Sequence, residues 1–172
     1  MQLLALNNNV KPTEPIAEPV EIKEYYISHL FFDANVDILT PQNNKKLDQL
    51  ANLLLIYPKI TAELSCFELP TGQKTFNLYF SIKKTEKAAE YLAGKGIPRS
   101  RLLLKGYGSS FPLVAKPVSN NISPLYQKLN QRLEIALHDY ESEPVIIDIE
   151  GIKVPENLQD PKGVKFSTLS NQ

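Results

Sequence analysis

The sequence predicts an α/β fold, an α+β sandwich with a β-α-β-α-β core in which two main helices cover one face of a mixed four-stranded sheet. Three observations predict it. Aromatic and β-branched runs start near residues 24, 60, 101 and 132, as strands require. Two longer segments with apolar residues at helical spacing lie between the first three runs, and Gly, Pro or Asn clusters punctuate every junction.

Before the first strand, residues 7–22 carry Pro12, Pro15 and Pro19, which remove amide donors and hold the backbone extended, so residues 1–23 are expected to be a linker. From Glu24 the run through Tyr25, Tyr26, Ile27, Phe31 and Phe32 reads as one strand, and Asp33, Asn35 and Asp37 mark the loop after it. Thr40-Pro41 starts a helix over 41–57, because a Thr hydroxyl caps free amides and Pro occupies the first turn without losing a hydrogen bond. Leu47, Leu50, Leu53, Leu54 and Tyr57 give its apolar stripe, and Pro58 stops it.

Ile60 to Phe67 alternates as a second strand, and Pro70, Thr71 and Gly72 make a turn. A second helix is expected from about Thr75 to Gly94 or Gly96, with Phe80, Ala88, Ala89 and Leu92 inward and Lys83, Lys84, Lys87 and Glu90 mostly outward. Arg101 to Lys105 gives a short strand ended by Gly106-Tyr107-Gly108, residues 109–125 a long loop, and Arg132 to His138 the last strand. The main domain thus spans 24–138. The remainder, 139–172, reads as an extension in which Val145 to Ile149 and Ile152 to Val154 pair as a small hairpin ahead of a polar connector.

Composition narrows the chemistry. The 172 residues hold nineteen basic and nineteen acidic side chains, so the formal charge is zero and neither nucleic acid nor a membrane surface is the expected partner. One cysteine and two histidines complete no zinc site and no internal disulfide. The apolar start Met1 to Leu6 lacks a basic leader and no segment has the roughly 20 apolar residues of a spanning helix, so the chain is expected to be cytosolic or a piece of a longer exported protein. HExxH, GxSxG and Walker patterns are missing, and Gly106-Tyr107-Gly108 precedes an irregular stretch where a phosphate loop needs a helix. His29, His138 and Cys66 read as packing residues. The basic run Lys83, Lys84, Lys87, Lys95, Arg99, Arg101 and Lys105 reads as a solvated helix face with its following turn. No catalytic residue, metal or cofactor is expected.

Several motifs, in order, resemble the OmpA-like domain family: Phe31-Phe32-Asp33-Ala34-Asn35, then Asn77-x-x-Phe80-Ser81-x-x-Lys84, then Lys105-Gly106-Tyr107-Gly108 and Asn130-Gln131-Arg132-Leu133-Glu134-Ile135. The resemblance covers about residues 26–137. It implies a peptidoglycan-associated, non-enzymatic module of the Gram-negative envelope, periplasmic or outer-membrane associated, that grips the stem peptide of peptidoglycan. In that family an Asp in a GHTDxxG loop holds the ammonium of diaminopimelate and an Arg in an NxxLSxxRA helix holds its carboxylate. A planar guanidinium meets a carboxylate through two parallel hydrogen bonds, which an ammonium cannot imitate.

Here that clamp is altered. With the register fixed by Gly72, the family Asp falls on Leu69 and the family Arg on Lys84. Glu68 is the nearest acid, although in extended backbone it points opposite to Leu69. Asn35, Asn77 and Arg132 occupy other contact positions of the family, and each also has a purely structural role open to it: a turn, a helix cap, and cover for the sheet edge. The first expectation is therefore a scaffold or protein-contact module whose peptidoglycan binding is weak or lost, with another envelope protein as partner. The alternative is a working stem-peptide binder that uses Glu68, Lys84, Asn77 and Arg132 in a remodelled pocket.

Overall fold

A computed structural model of the chain describes residues 21–33, 37–114 and 123–158. Most of the expected linker, Asn35, and residues 115–122 and 159–172 lie outside the described residues. In chain order the elements are β1 (Lys23–Ile27), β2 (Leu30–Phe31), α1 (Pro41–Ile56), β3 (Thr61–Phe67), α2 (Lys74–Gly94), β4 (Leu102–Gly108), α3 (Pro124–Asn130), β5 (Arg132–His138) and β6 (Val145–Ile149). The main sheet has the order β2-β5-β3-β4; β3 and β4 are parallel and the other pairs antiparallel. This is the expected mixed four-stranded sheet.

Strand alternation decides where the core lies. Ala62, Leu64 and Cys66 of β3 and Leu133, Ile135 and Leu137 of β5 join Leu47, Leu50, Leu53 and Leu54 of α1 and Ala88, Ala89 and Leu92 of α2 in one buried cluster. Both main helices therefore cover the same sheet face. Each fully buried Leu there contributes on the order of 1.5–3 kcal/mol.

The helix signals work as read for α1. Thr40 Oγ1 accepts the Asn43 amide at 3.2 Å, and Pro41 opens the first turn. Its far end is held by Arg101, whose guanidinium donates to the carbonyls of Leu54, Tyr57 and Ile60 at 2.6–3.0 Å. Arg101 is thus a structural clasp, although it belongs to the basic run.

The single strand expected from Glu24 is two strands in two sheets. β1 runs parallel to β6, and β2 pairs with β5. Ser28 and His29 form the step between them, and the backbone groups freed there find other partners. The Ile27 carbonyl accepts the Glu150 amide at 2.8 Å, and the His29 carbonyl accepts Lys46 Nζ at 2.7 Å. His29 Nδ1 takes the Ile135 amide at 3.1 Å, standing in for a strand carbonyl. In the tail, Val145–Ile149 is a strand, but its partner is β1, and residues 152–154 are not a strand.

Three further expectations are corrected. Phe80 of α2 is 52% exposed, because the helix buries the arc of Asn77, Ser81, Thr85, Ala88 and Leu92 instead. The Gly106-Tyr107-Gly108 motif does not end β4 but lies within it, where α2 crosses. A Cβ at 106 would sit 2.8 Å from the Ile82 amide nitrogen, and one at 108 would sit 2.7 Å from that of Leu78, so only glycine admits the helix this closely. The loop expected to run to residue 125 stops earlier, because α3 starts at Pro124, capped by Ser123, which accepts the Tyr126 amide at 3.1 Å.

Candidate functional site

Past the end of β3 the Glu68 amide still donates to the Gly108 carbonyl at 2.8 Å, so the backbone remains extended and successive side chains face opposite ways. Leu69 turns into a second apolar cluster with Val114, Tyr126 and Leu129. Glu68 turns toward α2 and meets Lys84, Oε1 to Nζ at 2.6 Å. The side chains are only 8% and 17% exposed respectively. The ammonium also lies 4.1 Å from the centre of the buried Phe32 ring, a favourable cation–π position. No third group fits between a donor and an acceptor at that separation.

Around this pair, Gln131 approaches Glu68 Oε2 with Nε2 at 3.5 Å, while its own Oε1 is buried without a hydrogen-bond partner among the described residues. Cys66 lies beneath. Burial, with Glu68 adding to it, pushes its thiol well above the ordinary range, so the thiolate needed for nucleophilic or metal chemistry does not form.

The other expected site residues do not converge on Lys84. Asn77 is buried in the first turn of α2 and donates to Ser109 Oγ at 3.0 Å, which ties the helix start to the end of β4. Arg132 is 2% exposed; its Nε binds Glu134 Oε1 at 2.6 Å, and its guanidinium sits 4.0 Å from the centre of the Phe67 ring. Phe67 in turn stacks on Tyr107 at 5.1 Å, on the sheet face away from the helices. Burial lowers the Arg132 pKa from its usual high value and the Glu134 carboxylate opposes this, so the pair is a satisfied structural unit. Asn35 lies outside the described residues. Phe32 and Gln131 are not among the expected site residues, although both belong to the motifs that carry the family resemblance.

The basic run is mostly spoken for. Lys83 pairs with Glu86, Lys87 with Asp37, Lys95 with Asp48 and Lys105 with Glu63. Among the described residues no group of three or more His, Cys, Asp or Glu side chains gathers as metal ligands, and no helix is long and apolar enough to cross a membrane.

Comparison with known proteins bears on the fold. No family model matches the chain. Outer membrane protein A of Yersinia pseudotuberculosis is 31% identical over 140 residues, 77% of this chain and 39% of that protein. The same-named protein of Salmonella typhi is 29% identical over 114 residues, 64% of this chain and 33% of that protein. The chain therefore spans two-fifths or less of these relatives. Among solved structures, the peptidoglycan-associated lipoprotein from Burkholderia pseudomallei superposes with a TM-score of 0.54 at 19% identity, over 63% of this chain and 88% of that one. The chain carries an OmpA C-terminal-like domain. The C-terminal domain of Helicobacter pylori MotB gives the same TM-score and identity, over 64% of this chain and 84% of that one, which places the OmpA-like core in the same mixed α+β architecture.

Proposed function

We infer that this chain is a non-enzymatic cell-envelope module of a longer exported protein, periplasmic and outer-membrane associated, built on the frame of a stem-peptide receptor with its clamp closed. Its peptidoglycan binding is weak or absent, and its role is that of a scaffold or protein-contact domain. One observation carries this reading: the 2.6 Å Glu68–Lys84 pair. A zwitterionic ligand needs an acid for its ammonium and a base for its carboxylate, and here the two charges neutralise each other out of solvent. Each charge-assisted contact forfeited is worth about 1.5–3 kcal/mol, or roughly ten- to a hundredfold in affinity. Lys84 also offers a carboxylate a single point of attachment where a guanidinium would offer a fork.

The relatives are named as outer membrane proteins and a peptidoglycan-associated lipoprotein, which supports the envelope location and the kind of ligand the frame suits. The alternative, a working binder using Glu68, Lys84, Asn77 and Arg132, has Glu68 and Lys84 side by side in its favour. Against it, Arg132 is held by Glu134 and stacked on Phe67. Titration of the full chain with a diaminopimelate-containing stem peptide, followed by amide chemical shifts, separates the two. We expect no saturation up to about 1 mM, which corresponds to less than ~4 kcal/mol of binding. Saturable binding in the micromolar range with shifts at Lys84 and Asn77 would overturn the closed-clamp reading.

A further inference from the structure

The first and last strands among the described residues pair with each other, apart from the main sheet. β1 and β6 form a two-stranded sheet of their own, parallel and in register over five residue pairs from Lys23↔Val145 to Ile27↔Ile149. The Glu150 amide extends the ladder by one bond to the Ile27 carbonyl, at 2.8 Å. A parallel pair needs a long crossover between its strands, where an antiparallel one needs only a hairpin. Here the crossover is the whole domain, about 120 residues. Both strands are fastened to what they enclose. Ile27 is buried, and Tyr25, Val145, Ile147 and Ile149 pack against the main core. Tyr57, at the end of α1, serves both strands at once. Its ring meets that of Tyr25 edge to face at 6.0 Å, and its hydroxyl donates to the Pro144 carbonyl, just ahead of β6, at 3.3 Å.

We propose that the module is a load-bearing link, in which β1 and β6 form a shear lock against tension applied between its two flanks. Strand direction decides this. In a parallel pair the two N-terminal ends lie together, so the N-terminal flank enters at the Lys23 end of the ladder while the C-terminal flank leaves from the Ile149 end. Tension along the chain slides β1 against β6 on their common axis, and all five pairs, with the side chains seated beneath, must yield together. An antiparallel pair would carry both flanks at one end and open one pair at a time. While the ladder holds, the load crosses directly from β1 to β6 and the main sheet is shielded from it. Ile152, Val154 and Leu158, which rest on the satellite cluster, lie between β6 and the C-terminal flank; their segment gives way first and lengthens the chain by at most about 30 Å. The inference goes beyond the scaffold reading and does not rest on it, since it draws only on β1, β6 and the core beneath them.

Single-molecule force spectroscopy of the full chain, held between handles at its two ends, tests it. We expect one dominant rupture that releases on the order of 400 Å, the length of residues 23–149, with no earlier loss of the β1–β6 pair. The protein is then pulled in a second direction, from thiol handles at Ile22→Cys and Ser142→Cys, exposed positions at the Lys23–Val145 end of the ladder. Cys66 is buried and takes no handle. In this direction the ladder opens pair by pair, and the first rupture force should fall at least about threefold, because one pair carries what five shared. Urea unfolding of the two proteins should coincide, so that the contrast reports direction and not stability. Equal forces in the two directions overturn the proposal. So does a wild-type trace in which β1 and β6 part first, releasing less than about 100 Å, before the rest of the domain ruptures at a higher force.

Discussion

Replacing Lys84 with Met leaves the Glu68 carboxylate in a site only 8% exposed, with Gln131 Nε2 at 3.5 Å as its nearest remaining donor. At 2.6 Å the lost attraction is roughly 6 kcal/mol in a medium of effective dielectric constant about 20. The desolvation already spent on both charges offsets part of it, and breaking a buried pair typically costs about 3–5 kcal/mol. The 17% exposure of Lys84 lets water reach the vacated space, so we expect the lower end, about 2–4 kcal/mol. At about 2–4 °C per kcal/mol for a chain of this length, the midpoint of thermal unfolding falls by roughly 4–16 °C. Glu68→Leu should cost a similar amount, because it strands the ammonium over Phe32. The double variant Glu68→Leu with Lys84→Met exchanges the pair for apolar side chains of similar volume and should return to within about 1.5 kcal/mol of the wild type. Urea unfolding of all four proteins closes the cycle, with an expected coupling of at least about 2.5 kcal/mol, the two single losses less that of the double variant. A coupling below about 0.5 kcal/mol would show that the two groups do not neutralise each other in solution, and the closed clamp would fail with it.

Arg101→Ala removes a charged clasp from three carbonyls at the end of α1 and should cost about 2–4 kcal/mol in urea unfolding, with Arg101→Lys recovering less than half because an ammonium cannot reach all three. Gly106→Ala drives a methyl into the Ile82 amide and should cost at least about 2 kcal/mol, with amide exchange accelerated first in α2. Burial lowers the His29 pKa below its usual 6.5, so the unfolded chain takes up a proton before the folded one does, and stability should decline as pH falls below about 6.5. The urea midpoint of the wild type should therefore fall more between pH 7.5 and 5.0 than that of His29→Asn, which keeps an acceptor for the Ile135 amide without titrating there; equal declines would refute this. Cys66 should resist a thiol-specific disulfide reagent in the folded protein and react only on unfolding.

The sequence carried most of the frame because its signals were local. Thr40-Pro41 started α1 through a cap and a tolerated proline, and the Ser123-Pro124 pair ahead of α3 has the same chemistry, so that missed helix was legible from the rule applied eighty residues earlier. What was not legible depended on distant partners. The step at Ser28–His29 is invisible locally, because β1 finds its partner in β6 and His29 Nδ1 finds an amide on β5. Phe80 reads as core by composition, but Gly106 and Gly108 decide which arc of α2 lies against β4. The motif register sets the family Asp on Leu69 and the family Arg on Lys84, and alternation turns Glu68 opposite to Leu69; only the fold could tell that Glu68 and Lys84 would touch.

That contact is coupled to the packing of Leu69. Leu69 is part of a small apolar core with Val114, Tyr126 and Leu129, which ties the loop after β3 to α3. An aspartate there would bury a charge among those side chains and remove an aliphatic contact worth about 2–5 kcal/mol. Placing an acid at 69 alone therefore trades the satellite core for a charge that faces away from Lys84, while Glu68 still holds the ammonium. On the proposed closed-clamp reading, a pocket for a zwitterion would require at least two coordinated changes, one to rebuild the loop and one to release Lys84. The aliphatic side chain that anchors the loop and the acid that silences the lysine form one structural solution, in which alternation along an extended segment sends one residue to each side.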